Sequence, residues 1–73
     1  MPDFIDLDCR GLEPPEPMEQ ALNAAAQLKT GQVLRLRIHR EPFPLYELLD
    51  GLRLHHRTAR LDSQDFLVHI ERP

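Results

Sequence analysis

Three groups of residues in this chain have chemistry beyond that of folding. Cys9 is the one cysteine, and a thiolate there would act as nucleophile or sulfur carrier if it were partly exposed beside a cation or a helix N-terminus. Histidines stand at 39, 55, 56 and 69, and imidazole suits zinc, copper or iron. The third group is a pair of polar clusters, Arg10, Glu13 and Glu16 in one and His39, Arg40 and Glu41 in the other. Each cluster is followed or interrupted by prolines, and each could hold an anion or the polar groups of a partner.

Which of these groups can meet depends on the elements that carry them. Phe4 to Cys9 alternates, with Ile5, Leu7 and Cys9 on one side and Asp6 and Asp8 on the other, the period of a half-buried strand. The prolines that follow suit the first turn of a helix, so a helix is predicted from Pro15 or Glu16. Its apolar stripe is Met18, Ala21, Leu22, Ala25 and Leu28. Lys29-Thr30-Gly31 should end it, with Gly31 in the left-handed position and Lys29 against the negative end of the dipole. Gln32 to His39 alternates again, with Leu34, Leu36 and Ile38 inward and Val33, Arg35, Arg37 and His39 outward. After Pro42-Phe43-Pro44, the residues Leu45, Leu48 and Leu49 repeat at helical spacing until Gly51, a second helix of about two turns with a glycine stop.

Two further strands, Leu54 to Leu61 and Phe66 to Glu71, flank a turn at Asp62-Ser63-Gln64. Phe66, Val68 and Ile70 point inward in the last strand, and Leu54, His56 and Thr58 in the third, because the other parity would bury His55 and Arg57. A three-residue turn then sets Arg57 opposite His69 and His55 opposite Glu71. Each strand has one apolar side, so the order β-α-β-α-β-β predicts an α/β (α+β) fold. It is a two-layer sandwich in which a four-stranded mixed sheet carries both helices on one face. The first three strands should run parallel and the last antiparallel.

Size and composition narrow the function. A chain of 73 residues makes one domain, spanning 1–73, and buries only roughly 60% of its unfolded surface. Hydrophobic residues at 41% and charged residues at 29% give a globular balance. The net charge of −3 and the lack of an aromatic stacking platform argue against nucleic acid. A lone cysteine and the absence of a long apolar run point to the cytoplasm and away from the membrane. The expected state is a monomer or weak homodimer.

Arg10-Gly11-Leu12-Glu13-Pro14-Pro15-Glu16-Pro17 resembles the Arg-Gly-Leu-x-Cys-Pro-x-Pro signature of the TusA/SirA-like sulfur carriers, with Pro14 where their working cysteine stands. His39-Arg40-Glu41-Pro42-Phe43-Pro44-Leu45 is similar to the His-x-Pro-x-Pro-Leu turn of a cysteine-less branch of that superfamily. Members of that branch have no known function and occur alone or attached to hemerythrin-like and other domains. The resemblance covers nearly the whole chain and implies the TusA-like sandwich without sulfur-carrier chemistry.

In such a fold, parallel strands one and two end at the same edge of the sheet, where open α/β sheets bind ligands. The loops 10–16 and 39–43 therefore lie side by side, beside two helix N-termini that attract anions. Arg10, Glu13, Glu16, His39, Arg40 and Glu41 are the candidate binding residues for another protein or a small anionic ligand. An equally weighted reading has Arg10 and His39 only tying the two loops together. No catalytic set, cofactor or metal site is assigned, and enzyme activity is not expected. Two alternatives stay open: a sulfur-relay carrier using Cys9, whose parity turns it toward the helices, and a small metal or cofactor protein using the histidines.

Overall fold

A computed structural model describes residues 3–13, 15–62 and 64–73 of the chain. Its elements are β1 (Asp3–Asp8), α1 (Glu16–Ala26), β2 (Gln32–Ile38), α2 (Phe43–Gly51), β3 (His55–Arg60) and β4 (Phe66–Glu71). They form the β-α-β-α-β-β order read from the sequence. The sheet has the order β1-β2-β4-β3, with β1 and β2 parallel and β4 antiparallel to both its neighbours. The last strand thus inserts between β2 and β3 and takes a central place. Its alternation pays off there: Val68 and Ile70 are fully buried, as are Leu34 and Leu36 of β2.

Both helices cover the face that these residues share. Ala21, Ala25 and Leu28 come down from α1, Leu45 and Leu49 from α2, and Leu54 and Cys9 close the core. No polar or charged residue among those described is buried with them. Small alanines at 21 and 25 let α1 approach the sheet closely, so a larger side chain there would overpack the core. The parity predicted for β3 is borne out, with Arg57 opposite His69 and His55 opposite Glu71.

The edge strand β1 is covered unevenly. Cys9 is buried but Ile5 is 38% exposed, because β1 lies at the edge of the sheet with β2 as its one neighbouring strand among the described residues. The open face of the sheet reads as rows across the strands. One row runs Phe4, Val33, Glu71, His55 and the next Asp6, Arg35, His69, Arg57. In the second row Arg35 holds Asp6 through Nε (2.6 Å) and a terminal nitrogen (2.9 Å), and its guanidinium lies 4.3 Å over the Phe4 ring.

Helix ends differ from the sequence expectation. α1 stops at Ala26, so Lys29 lies beyond the last turn, and Gly31 (φ +92°) instead serves a tight turn closed by the Gln32 N–H on the Lys29 carbonyl at 3.0 Å. The cation near this end of the helix comes from the other terminus: Arg72 Nε donates to the Leu28 carbonyl at 2.7 Å. In α2, Gly51 is still helical, and the left-handed residue is Arg53 at φ 60°. The Leu54 N–H reaches back to the Leu49 carbonyl and the Arg53 N–H to Asp50, both at 3.0 Å, which is a Schellman ending. Buried Leu54 and Leu49 supply its apolar contact. The geometry therefore asks for glycine two residues after the one present.

Arg53 carries the cost of a left-handed backbone on a side chain with a Cβ. Arg53→Gly should stabilise the protein by about 0.5–1 kcal/mol, raising the melting temperature by roughly 2–8 °C. Arg53→Ala, which keeps the Cβ, should not. An unchanged or lowered melting temperature for the glycine variant would contradict this account of the helix ending.

Candidate functional site

The parallel pairing of β1 and β2 continues one step past the strand, where the Cys9 N–H donates to the Arg37 carbonyl at 2.8 Å. From that point the two chains diverge. After Cys9 a tight turn with Gly11 at φ +83° brings the Leu12 N–H toward the Cys9 carbonyl, 3.4 Å, a type II arrangement in which the third residue must be left-handed. After Ile38 the chain bends at His39 and Arg40. Alternation had placed His39 on the open sheet face; the strand ends one residue earlier, and the bend carries the imidazole to the helix side.

A cleft of ≈ 240 Å³ opens there. Pro15, Pro17 and Met18 from the start of α1 line it together with Pro42, Pro44 and Leu45 from the start of α2. Ile38, His39, Arg40 and Glu41 complete the lining. The walls are apolar, and four of the ten lining residues are prolines. Proline also alters the backbone chemistry of both helix starts. At α1 the Glu16 N–H is taken by the Glu13 carbonyl (3.0 Å) and Pro17 has no N–H. At α2 the Phe43 N–H goes to Glu41 (3.0 Å), Pro44 has none, and the Leu45 and Tyr46 N–H groups both turn to the Pro42 carbonyl. The donors that make a helix N-terminus an anion cradle are thus largely spent or missing, while the dipole field remains.

The six sequence candidates divide. His39, Arg40 and Glu41 line the cleft. The His39 Nδ1 is buried and has no hydrogen-bond partner, an unusual condition for a ring nitrogen that can donate or accept. Arg40 is exposed and makes no ion pair among the described residues. Glu41 accepts from the Tyr46 hydroxyl at 3.2 Å, and that hydroxyl also bonds the Thr58 hydroxyl on β3. Tyr46 stacks flat on His56 at 4.8 Å, and His56 Nε2 meets Asp50 at 2.9 Å. A line of contacts thus fixes the 39–42 loop to α2 and β3.

The other three candidates stand outside the lining. Glu13 and Glu16 are exposed. Arg10 is committed elsewhere: its backbone N–H, Nε and a terminal nitrogen all donate to Asp8, at 3.0, 2.9 and 2.8 Å, and its second terminal nitrogen reaches Asp65 at 3.5 Å. This pairing holds the Asp8 carboxyl down at about 2, through the Arg10 side chain first and its backbone N–H second. Arg10 therefore braces the loop after β1 and does not tie it to His39. Pro14 lies outside the described residues.

Cys9 is fully buried, and burial, with Asp8 beside it, pushes its thiol up. Both effects oppose the thiolate that a sulfur carrier needs. The histidines are dispersed: His39 in the cleft, His56 against Asp50, and His55 and His69 on the open face, opposite Glu71 and Arg57. Among the described residues no three His, Cys, Asp or Glu side chains are gathered as a metal would require. Residues that sequence reasoning gave only to helix starts or core, above all Pro17, Met18 and Leu45, turn out to form the cleft. The signal was available in the prolines that accompany both polar clusters.

This scaffold, a four-stranded mixed sheet with two helices on one face, has the fold of a solved SirA-like protein. The structure of a SirA-like protein from Desulfitobacterium hafniense superimposes with a TM-score of 0.77 over 92% of this chain and 93% of that one, at 21% sequence identity. The chain belongs to the family of uncharacterised conserved proteins DUF2249, whose model matches residues 6–72. No curated protein matches the chain.

Two outcomes follow from the ionisable groups. An aspartate whose carboxyl ionises at about 2 when folded, against about 4 unfolded, stabilises fully above pH 4 and loses that contribution as pH falls toward 2. Asp6 and Asp62 shift in the same direction, through Arg35 and through the N–H groups of Gln64 and Asp65. Melting temperature should hold steady down to about pH 4 and then fall, and Asp8→Asn should remove part of that fall; a profile identical to the parent's contradicts the pairing. Cys9 should react with a disulfide reagent about 100-fold more slowly in the folded protein than in denaturant. Equal rates would return Cys9 to the list of reactive thiols.

Proposed function

We propose that this protein is a non-catalytic binding module whose recognition site is the cleft between the starts of α1 and α2. The observation that carries the reading is the cleft itself, an apolar recess of ≈ 240 Å³ between two helix starts with His39, Arg40 and Glu41 in its lining. Ligand sites commonly have this composition, apolar walls with a few placed polar groups.

Absence of catalytic equipment from the lining supports the binding half of the proposal. None of its described residues is a serine, threonine, cysteine or lysine, so no side-chain nucleophile stands beside the imidazole. Sulfur relay through Cys9 is disfavoured by its burial, and the free thiol fits a reducing cytoplasm. Among the described residues no helix is long and apolar enough to cross a membrane.

A fragment library screened by amide chemical-shift perturbation tests the site. Hits should move resonances of residues 15–18 and 38–45, and His39→Ala, which removes a ring from the lining, should weaken those hits severalfold. Hits confined to the open sheet face, or a His39→Ala variant that loses thermal stability while binding as before, would contradict the proposal.

A further inference from the structure

Beside the recess of the cleft stands a projection. Phe43 lies between Pro42 and Pro44, two residues of the lining, yet is outside the lining itself. At 65% it is the most exposed large hydrophobic side chain among the described residues. Its ring meets Tyr46 edge-on at 6.0 Å, and Tyr46 is held in turn by Glu41, Thr58 and His56. The aromatic therefore sits on a fixed base. Exposed apolar surface continues along α2 at Leu48 and Leu52, each 42% exposed, one and two turns beyond Pro44. Apolar surface gathered in this way marks a contact site.

Recess and projection match in kind and in size. An apolar cavity of roughly 150 Å³ accepts a benzene ring, so the cleft, at ≈ 240 Å³, has room for a phenylalanine side chain. A surface that carries both a hole and a knob fitting it is complementary to its own copy, the condition for a two-fold interface in which residue i meets j and j meets i. The charges on the rim obey the same condition. Arg40 and Glu41 are consecutive, opposite in sign and both in the lining. Arg40 makes no ion pair among the described residues, and Glu41 uses one carboxylate oxygen on Tyr46. Resting on the cleft reading above, we infer that the occupant is a second copy of this chain. Two molecules pair about a two-fold axis, each inserting Phe43 into the other's cleft, with Arg40 of each copy against Glu41 of the other. Phe43 is the anchor, and the rim pairs set orientation more than strength.

Sedimentation equilibrium of the full chain, carried up to about 1 mM to reach a weak contact, should give a monomer–dimer equilibrium. Phe43→Ala should weaken association at least about tenfold. Arg40→Glu sets acids against acids across the axis and Glu41→Arg sets cations against cations, so each variant alone should associate at least about tenfold more weakly than the parent. Mixed in equal parts, the two variants should pair again, because the mixed dimer restores both contacts between opposite charges. A mere loss of packing at either position would not be rescued by mixing. In a mixture of methionine-methyl-labelled and unlabelled protein, the Phe43 ring of one copy should show nuclear Overhauser effects to the Met18 ε-methyl of the other.

A chain that stays monomeric throughout, or a dimer that Phe43→Ala leaves as tight as the parent, would overturn the inference. Failure of the two rim variants to pair when mixed would overturn the two-fold arrangement. Intermolecular contacts from Phe43 to Val33 or Leu67 on the open face, with Met18 silent, would overturn the cleft as its seat. The fragment screen decides the cleft reading separately: hits in the cleft of a chain that never dimerises keep that reading and sink this one, while hits that drive the dimer to monomer support both.

Discussion

The parallel pairing of β1 with β2 is the constraint on which the site depends. Parallel strands must be joined by a crossover that returns to the same edge, so their carboxyl-terminal ends, and whatever loops follow, are forced together. Here the ladder runs in register from Asp3 opposite Gln32 to Asp8 opposite Arg37 and extends through the Cys9 N–H. Both helices therefore start at one edge. Without that alignment, residues 15–18 and 38–45 would have no reason to share a cleft, and the prolines of the two helix starts would be two unrelated local features.

Those prolines then determine what kind of cleft it is. A helix N-terminus with free N–H groups is polar; starts that contain Pro15 and Pro17, or Pro42 and Pro44, offer few free donors and turn proline carbon toward the cleft. The sequence departs from the sulfur-carrier signature at Pro14, which lies outside the described residues, while Pro15 and Pro17 of that signature remain and line the cleft. The nearest thiol, Cys9, is sealed in the core with its ionisation opposed. The edge formed by the two helix starts thus has apolar walls, with His39, Arg40 and Glu41 in the lining.

Much of the architecture was legible because each strand repeats at period two against one apolar face. Leu34, Leu36 and Ile38, and later Phe66, Val68 and Ile70, announce their own inward side, and a turn of three residues sets Arg57 against His69 without further information. The place of β4 between β2 and β3 was not legible, since alternation says which face of a strand is buried and not which neighbours it has. Helix endings were misplaced for a related reason. Glycines at 31 and 51 marked the right neighbourhoods, but the hydrogen bonds that close a helix depend on where its last carbonyls find donors, and Arg72 and Arg53 provided answers that local sequence does not contain.

For the site, the polar residues around the bend were legible and their grouping was only half so. His39, Arg40 and Glu41 are adjacent in the chain, so any fold presents them together. Arg10 looked equally available, yet Asp8 two residues earlier captures it through the Arg10 backbone N–H and two side-chain nitrogens, an i, i+2 pairing that period-two spacing permits but does not require. The apolar walls were hidden by their resemblance to core residues, as Met18 and Leu45 serve both the helix stripe and the cleft.

Intermolecular nuclear Overhauser effects from a bound ligand to methyl groups of the protein test the central claim most directly. Contacts to the Met18 ε-methyl and the Leu45 δ-methyls, with none to Val33 or Leu67 on the open face, are the result predicted by a recognition site between the two helix starts. Contacts to Val33 and Leu67, with Met18 and Leu45 silent, would contradict it.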